Sequence, residues 1–273
     1  MTNKKRILVL GSTGMLGSAV GSWFLSRSNE YETYLTYRNE TVSYGENKIH
    51  FDCTSGRFDD LPEVDYIINC IGVIKPFMAE NPIKAIEINS VFPWRLAEYC
   101  KQKNTKLIHI TTDCVFSGTK GQYTEEDPHD ALDDYGKSKS LGEPTNCMVL
   151  RTSIIGEEIH KNASLIEWVK SQKGQTTNGF INHHWNGITT KQYAQVCDQI
   201  ILKDLYKENK FHIPSPHPIT KHRLVSLLGE RFDLNLTVNE HTTDISVDRT
   251  LTTVKSLCSH LDILEIEQQI KEI

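Results

Sequence analysis

Tyr135 and Lys139 stand four residues apart in the run Tyr135-Gly136-Lys137-Ser138-Lys139. On a helix, positions i and i+4 share one face. An ammonium beside a phenol favours the phenolate and lowers the Tyr pKa from its reference of about 10. A Tyr tuned in this way passes a proton to or from a carbonyl or alcohol oxygen near neutral pH. Upstream lies Ile110-Thr111-Thr112-Asp113-Cys114-Val115-Phe116. A hydroxyl at the carboxyl end of a buried strand would point into a cleft and hydrogen-bond the same reacting oxygen. Thr112 is the first choice for that role and Thr111 the second; as β-branched residues, both also suit a plain strand.

A third element precedes these two. Gly11-Ser12-Thr13-Gly14-Met15-Leu16-Gly17 follows the apolar run Ile7–Leu10 and opens an expected helix, Met15–Ser26. The first glycine suits a tight turn, the second lets a pyrophosphate approach backbone N–H groups, and the third lets the helix pack on the strand. The expected cofactor contacts here are Gly11, Thr13, Gly14, Met15, Leu16 and Gly17.

The elements that position these groups alternate. Strands are expected at Ile7–Leu10, Tyr34–Tyr37, Ile49–Phe51, Asp65–Cys70, Leu107–Ile110 and Met148–Leu150. Helices are expected at Met15–Ser26, Ile83–Lys101 (with Pro93 kinking or dividing it) and Tyr135–Glu143. This alternation argues an α/β fold, a doubly wound parallel sheet that binds ligands at the carboxyl ends of its strands. Further helices are expected at Ser164–Ser171, Lys191–Lys203 and Lys221–Phe232, with the polar run Gln175–Thr190 between the first two. Residues 1–155 form the expected dinucleotide-binding domain. Residues 156–273 form mainly a smaller substrate-binding lobe, with some segments returning to the main sheet.

Cofactor preference turns on the end of the second strand. NAD-preferring sites usually place an acid there, whereas this strand ends in Arg38-Asn39. A guanidinium suits a 2′-phosphate, so NADPH is expected in preference to NADH; a solvated surface Arg is the plain alternative. Asp52, after the third strand, would hydrogen-bond an adenine amine or simply cap the strand end. Trp185 would stack on a base or pack in a core.

Bulk properties narrow the classes. The chain has 273 residues, 38% hydrophobic and 24% charged, with a formal net charge of −5. That charge points away from nucleic acid and anionic membranes. The seven cysteines show no C-x-x-C pair, so neither a disulfide framework nor a metal site is signalled. The basic start Met1-Thr2-Asn3-Lys4-Lys5-Arg6 is followed by too short an apolar run for a signal peptide, and a cytoplasmic location is expected.

The combined motifs resemble those of the extended short-chain dehydrogenases/reductases, and most closely the dTDP-4-dehydrorhamnose reductase branch. The resemblance rests on GSTGMLG, on TTDCVFSG (Thr111–Gly118), on YGKSK with Gly142-Glu143 behind it, and on Leu150-Arg151-Thr152-Ser153. It covers about the first 155 residues and is loose beyond. It implies a Rossmann-type domain, a nicotinamide cofactor, and reduction of a nucleotide-linked 4-keto-6-deoxysugar in deoxysugar or surface-polysaccharide biosynthesis. It puts Thr112, Tyr135 and Lys139 at the catalytic positions and Asn89 behind them. Cys70 and Gly72 fall on the strand end that passes over the cofactor. Cys114, Val115 and Trp185 are the implied substrate contacts. Related 4,6-dehydratases carry Asp-Glu after the catalytic Thr; Asp113-Cys114 here favours plain hydride transfer. The stretch Gly179–Thr190 departs from the branch, which leaves the sugar open. An epimerase and a non-catalytic regulatory protein on the same fold are the alternatives, and a homodimer is an expected assembly.

Overall fold

The computed structural model describes residues 4–38, 47–159 and 163–273. Met1, Thr2, Asn3 and Asn39, which entered the sequence reading, lie outside them. The first half runs β1 (Lys5–Leu10), α1 (Met15–Ser26), β2 (Tyr31–Tyr37), β3 (Lys48–His50), β4 (Tyr66–Asn69), α2 (Pro82–Ile86), α3 (Phe92–Gln102), β5 (Lys106–Thr112), α4 (Asp134–Leu141) and β6 (Met148–Thr152). The second half runs β7 (Ile154–Ile155), α5 (Leu165–Ser171), β8 (Thr176–Phe180), β9 (His183–Trp185), β10 (Ile188–Thr189), α6 (Thr190–Leu202), β11 (Asn209–His212), β12 (Ile219–Thr220), α7 (Lys221–Arg231), β13 (Thr237–His241), β14 (Val247–Asp248) and α8 (Ile266–Lys271).

Among the described residues the main sheet has seven strands in the order β11-β6-β5-β4-β1-β2-β3, every pairing parallel. Alternation along β1 shows why it is covered on both faces. Ile7 and Val9 join Val20 and Phe24 of α1 and Tyr193 and Ile200 of α6 in one core. Leu8 and Leu10 join Phe92 and Leu96 of α3 in another. A strand buried on both sides reads as a continuous apolar run, and Ile7-Leu8-Val9-Leu10 is one. The doubly wound α/β architecture is therefore as expected.

Three departures from the expected elements have identifiable causes. The second strand starts three residues early, at Tyr31, because the Tyr31 hydroxyl reaches Asp198 on α6 (2.5 Å) and the ring meets Phe24 edge-on. The long helix expected over 83–101 is divided by a π turn at Glu87–Val91. Pro93 is the second residue of α3, directly after that turn. The polar run Gln175–Thr190 holds β8, β9 and β10. Their partners are remote in sequence: β13 for β8, β12 and β14 for β9, β7 for β10. From the second half, β11 pairs with β6 in the main sheet, and α6 packs on α1. The remaining segments form a lobe with its own core of Ile166, Val169, Trp185, Leu224, Leu228 and Ile266. No helix among the described residues is long and apolar enough to cross a membrane.

Candidate active site

The glycine loop adopts the geometry that each glycine permits. Gly11 has φ +76°, and a methyl group there would lie 2.9 Å from Ile71 Cγ1 and 3.3 Å from the Cys70 carbonyl carbon. A methyl on Gly17 would lie 2.1 Å from the Gly11 carbonyl oxygen, so only glycine lets α1 start this close to β1. Gly14 differs: a methyl would meet only the Gly11 oxygen, at 3.5 Å. Nothing packed against Gly14 requires a glycine there, and the backbone is left open to approach. Gly14 caps α1 without a side-chain hydrogen bond, and no acid stands in the first turn. Free N–H groups at a helix start attract a phosphate. Thr36 at the end of β2 holds the loop: its hydroxyl accepts from Gly11 N (3.0 Å) and its carbonyl from Ser12 Oγ (2.7 Å). Thr13 and Met15 are half-buried at this lip, while the Leu16 side chain is in the core. Only the backbone of Leu16 is free to face a ligand.

The adenine side is partly committed. Arg38 is exposed, and its carbonyl lies 3.1 Å from His50 Nε2. The Asp52 carboxylate accepts from Thr54 N (2.9 Å) and Thr54 Oγ1 (2.8 Å). The Thr54 amide chiefly holds that carboxyl below its usual range, against burial. Asp52 is thus a strand-end cap in this structure.

The expected catalytic groups come from three elements. Thr112 ends β5; its hydroxyl donates to Asp113 Oδ1 and accepts from Cys114 N, both at 3.1 Å. The Thr111 hydroxyl is buried with no hydrogen-bond partner in the structure and, by strand alternation, points to the other face. Asp133 caps α4 by accepting from Gly136 N (2.8 Å). A methyl on Gly136 would lie 2.2 Å from the Cys114 carbonyl oxygen. Glycine there seats the start of α4 on the turn after Thr112, which brings Tyr135 to that hydroxyl. A methyl on Gly142 would lie 1.8 Å from the Asn89 carbonyl, so the far end of α4 is seated as tightly.

Asn89 sits in the π turn and is 1% exposed. Its Oδ1 accepts from Val73 N (2.8 Å), and its Nδ2 donates to Val73 O (2.9 Å) and Ser138 Oγ (3.1 Å). It ties the strand-end backbone after Gly72 to α4. Lys139 is 5% exposed, and its Nζ donates to the Ile110 carbonyl at 3.3 Å. A methyl on Gly72 would lie 3.7 Å from that Nζ. The helix that carries Tyr135 and the strand end after β4 thus meet at Lys139.

Electrostatics correct one expectation. The Tyr135 phenol is pushed up, not down: burial is the main cause, the Cys114 thiol adds to it, and the nearby Thr112 hydroxyl opposes it. The Lys139 ammonium is engaged with the Ile110 carbonyl, and burial pushes it down to about 8 against the opposing pull of Glu143.

The implied substrate contacts divide. Cys114 is half-buried, its thiol pushed up to about 12 mainly by burial, which makes it a poor nucleophile. Cys70 is half-buried at the end of β4, also with a raised thiol pKa from burial. Val115 is fully buried in a small core with Phe116, Tyr123 and Leu251. Trp185 is 4% exposed, with Lys221 Nζ 4.9 Å from its ring centroid. Its ring packs inward because Gly187 leaves room: a methyl there would lie 2.4 Å from Trp185 Cζ2. A ring so enclosed has no open face for a base.

Two features escaped the sequence reading. Arg151, fully buried, is bidentate to Glu143 (3.1 and 2.7 Å) and donates to His212 Nε2 (2.5 Å) and His129 Nε2 (2.7 Å). Arginine only donates, so both imidazoles accept through Nε2 and are neutral. Burial would raise the Glu143 carboxyl, but Arg151 and its neighbours hold it below its usual range. The other feature is the pair Lys221 and Arg249, from the second half, which bear on Asp113. Neither cation lies in a recognisable motif, whereas Glu143 and Arg151 stand in segments quoted above. Among the described residues no cluster of His, Cys, Asp or Glu could hold a metal ion.

With this geometry, similarity to known proteins becomes interpretable. Residues 5–248 match the family model of the RmlD substrate binding domain. The chain is 28% identical over 246 residues to methionine adenosyltransferase 2 subunit beta of Rattus norvegicus, covering 84% of this chain and 73% of that protein. It is 26% identical over 287 residues to the probable low-salt glycan biosynthesis reductase Agl14 of Haloferax volcanii, covering 96% and 91%. A solved structure of a hypothetical dTDP-4-dehydrorhamnose reductase from Sulfolobus tokodaii superposes with a TM-score of 0.74 at 26% identity, over 90% of this chain and 91% of that one. Glycine loop, seven-stranded sheet and matched span agree: the chain belongs to the RmlD substrate binding domain family, of the extended short-chain dehydrogenase/reductase type.

Proposed function

We propose that this protein reduces the ketone of a nucleotide-linked 4-keto-6-deoxysugar, with NADPH as the preferred cofactor. The coarser class, a nicotinamide-dependent oxidoreductase of nucleotide-sugar reductase or epimerase type, follows from family membership. The observation that carries the finer reading is Lys139, whose Nζ touches the edge at Gly72 while its helix holds Tyr135 against the Thr112 turn.

The residues fit the cofactor. Gly11, Gly14 and Gly17 leave a cradle for the pyrophosphate at the start of α1, Arg38 is free to meet a 2′-phosphate, and Gly72 and Lys139 line the nicotinamide end. When bound, the cofactor supplies hydride to the ketone carbon. Tyr135 donates a proton to the oxygen as negative charge develops there. Thr112 gives that oxygen a second hydrogen bond, after its hydroxyl turns from Asp113. Cys114, where a dehydratase would have a Glu, offers no acid for elimination.

The similarity to the Haloferax and Sulfolobus proteins, each named as a reductase, supports a reductase. The similarity to methionine adenosyltransferase 2 subunit beta favours a second reading, a dinucleotide-binding subunit without turnover of its own. One assay separates them: a panel of nucleotide-linked ketosugars, followed by NADPH absorbance with products identified by NMR. Stoichiometric NADPH consumption with formation of an alcohol supports the reductase. Product without net consumption means an epimerase, and no turnover on any member favours the regulatory subunit.

A further inference from the structure

The carbonyls at the end of α4 run out of partners within the helix, and side chains from other elements supply them. Ser90 Oγ donates to Ser138 O (2.7 Å), Trp94 Nε1 to Leu141 O (2.7 Å) and His109 Nε2 to Gly142 O (3.1 Å). Ser90 and Trp94 come from the π turn and α3. His109 comes from β5 and is fully buried. Of these three side chains it is the one that also bonds to another strand.

That strand is β4, where Asn69 stands opposite His109 across the parallel pair. Asn69 is fully buried too, and the two ends of its amide have separate tasks. Oδ1 accepts from Ile71 N (3.1 Å), so Nδ2 is the end that meets His109 Nδ1 (3.0 Å). An amide nitrogen only donates, so Nδ1 carries no proton and Nε2 carries the one that goes to Gly142. The tautomer is thus set by backbone groups at both ends. A second proton, on Nδ1, would face the Asn69 amide hydrogens. Burial first, then the Lys139 charge, hold the imidazole well below its usual range, against the pull of the Gly142 carbonyl.

One bonded chain therefore runs from Ile71 through Asn69 and His109 to Gly142, that is, from the turn after β4 to the end of α4. The turn abuts the glycine loop, since a methyl on Gly11 would lie 2.9 Å from Ile71 Cγ1. It continues into Gly72, the edge that Lys139 Nζ approaches. At the other end, α4 carries Tyr135 and Lys139. Such a chain resists displacement, because breaking any of its bonds leaves a buried polar group unpaired.

We propose that His109 is a positioning residue: it couples the turn after β4 to the end of α4, and so holds Lys139 in register with Gly72 and the glycine loop along the cofactor cleft. The effect on turnover rests on the reductase reading above; the effect on cofactor binding does not. His109 is enclosed, and it acts only through Asn69 and Gly142.

The test uses three variants of the full chain. His109→Asn keeps an acceptor where Nδ1 stands and loses the bond to Gly142. His109→Gln keeps a donor where Nε2 stands and loses the bond to Asn69. His109→Phe keeps a ring and loses both. NADPH binding is read by fluorescence, and kcat and KM on a confirmed ketosugar, well below each variant's melting temperature. His109→Phe should weaken NADPH binding by about fivefold or more and lower kcat by about tenfold or more, as a misplaced group does, with the sugar KM within about threefold. Each half-variant should stay at least about threefold below wild type in NADPH affinity. Full recovery in either half-variant would mean that one bond suffices, and overturns the coupling. So does wild-type NADPH affinity in His109→Phe, whatever its melting temperature.

A further readout needs no variant to fold. In nitrogen-15 NMR of the wild type, with resonances assigned through the backbone, His109 should carry its proton on Nε2 and should not titrate between about pH 5 and about pH 8. A proton on Nδ1, or a titrating His109, overturns the proposal. The two readings fail separately. No turnover on the ketosugar panel removes the reductase and leaves the NADPH and NMR measurements of His109 in force. Turnover in wild type, with NADPH affinity unchanged in His109→Phe, removes the coupling alone.

Discussion

Gly136 and Cys114 touch through backbone: a Cβ on Gly136 would lie 2.2 Å from the Cys114 carbonyl oxygen. That contact sets where α4 begins relative to the end of β5, and hence where the Tyr135 phenol stands relative to the Thr112 hydroxyl. Gly136→Ala should push α4 away from the turn and destabilise the fold by about 1–3 kcal/mol, as overpacking does. A thermal melt should show the loss, and kcat should fall more than NADPH affinity. A variant with wild-type melting and turnover would show that α4 tolerates the shift.

Tyr135→Phe removes the proton donor and keeps the ring. On a confirmed ketosugar, kcat should drop by about 10²–10⁴-fold, the usual worth of general-acid catalysis. NADPH affinity should barely change. Lys139→Ala should damage both, because its ammonium lies at the Gly72 edge as well as on the Tyr135 helix. Wild-type turnover in Tyr135→Phe would mean that another group gives the proton.

Arg38 carries the cofactor preference. It is exposed and unencumbered by an ion pair among the described residues, so Arg38→Ala should cost little stability. It should weaken NADPH selectively, leaving NADH affinity nearly unchanged. Parallel titrations of both cofactors measure this; equal binding of the two in wild type and variant would leave Arg38 as ordinary surface.

His212 makes stability depend on pH. Burial first, and then the Arg151 charge, push its imidazole down to about 4. An imidazole with a lowered folded pKa binds fewer protons folded than unfolded between about 4 and its usual 6.5. Its contribution is therefore complete above about pH 6.5 and is lost as pH falls toward 4. Chemical denaturation should show a loss of roughly 2 kcal/mol between pH 7 and pH 5. His212→Gln keeps an acceptor for Arg151 and should flatten that slope; an unaltered slope would assign the effect to other groups.

The sequence by itself determined the features that depend on neighbours along the chain. The buried run Ile7–Leu10, the glycine loop and α1 are one local unit, and the helix bounds Met15–Ser26 emerged as expected. Tyr135 and Lys139 share a helix face because four residues make about one turn. What only the tertiary structure decided are relations between distant segments. Asn89 works through a π turn that no periodicity announces. Arg151 gathers Glu143, His129 and His212 from three places in the chain. β8 and β9 are short and polar, and they are strands because remote partners supply their hydrogen bonds. Arg38 is exposed at the end of its strand, and the Asp52 carboxylate accepts from Thr54, a contact that its place in the sequence did not announce. Trp185 turned inward because Gly187 left a gap for its ring. Local pattern encodes an element and its buried face; the contents of a cleft depend on which elements the fold brings to its rim, and here Lys221 and Arg249 reach that rim from more than a hundred residues beyond Thr112.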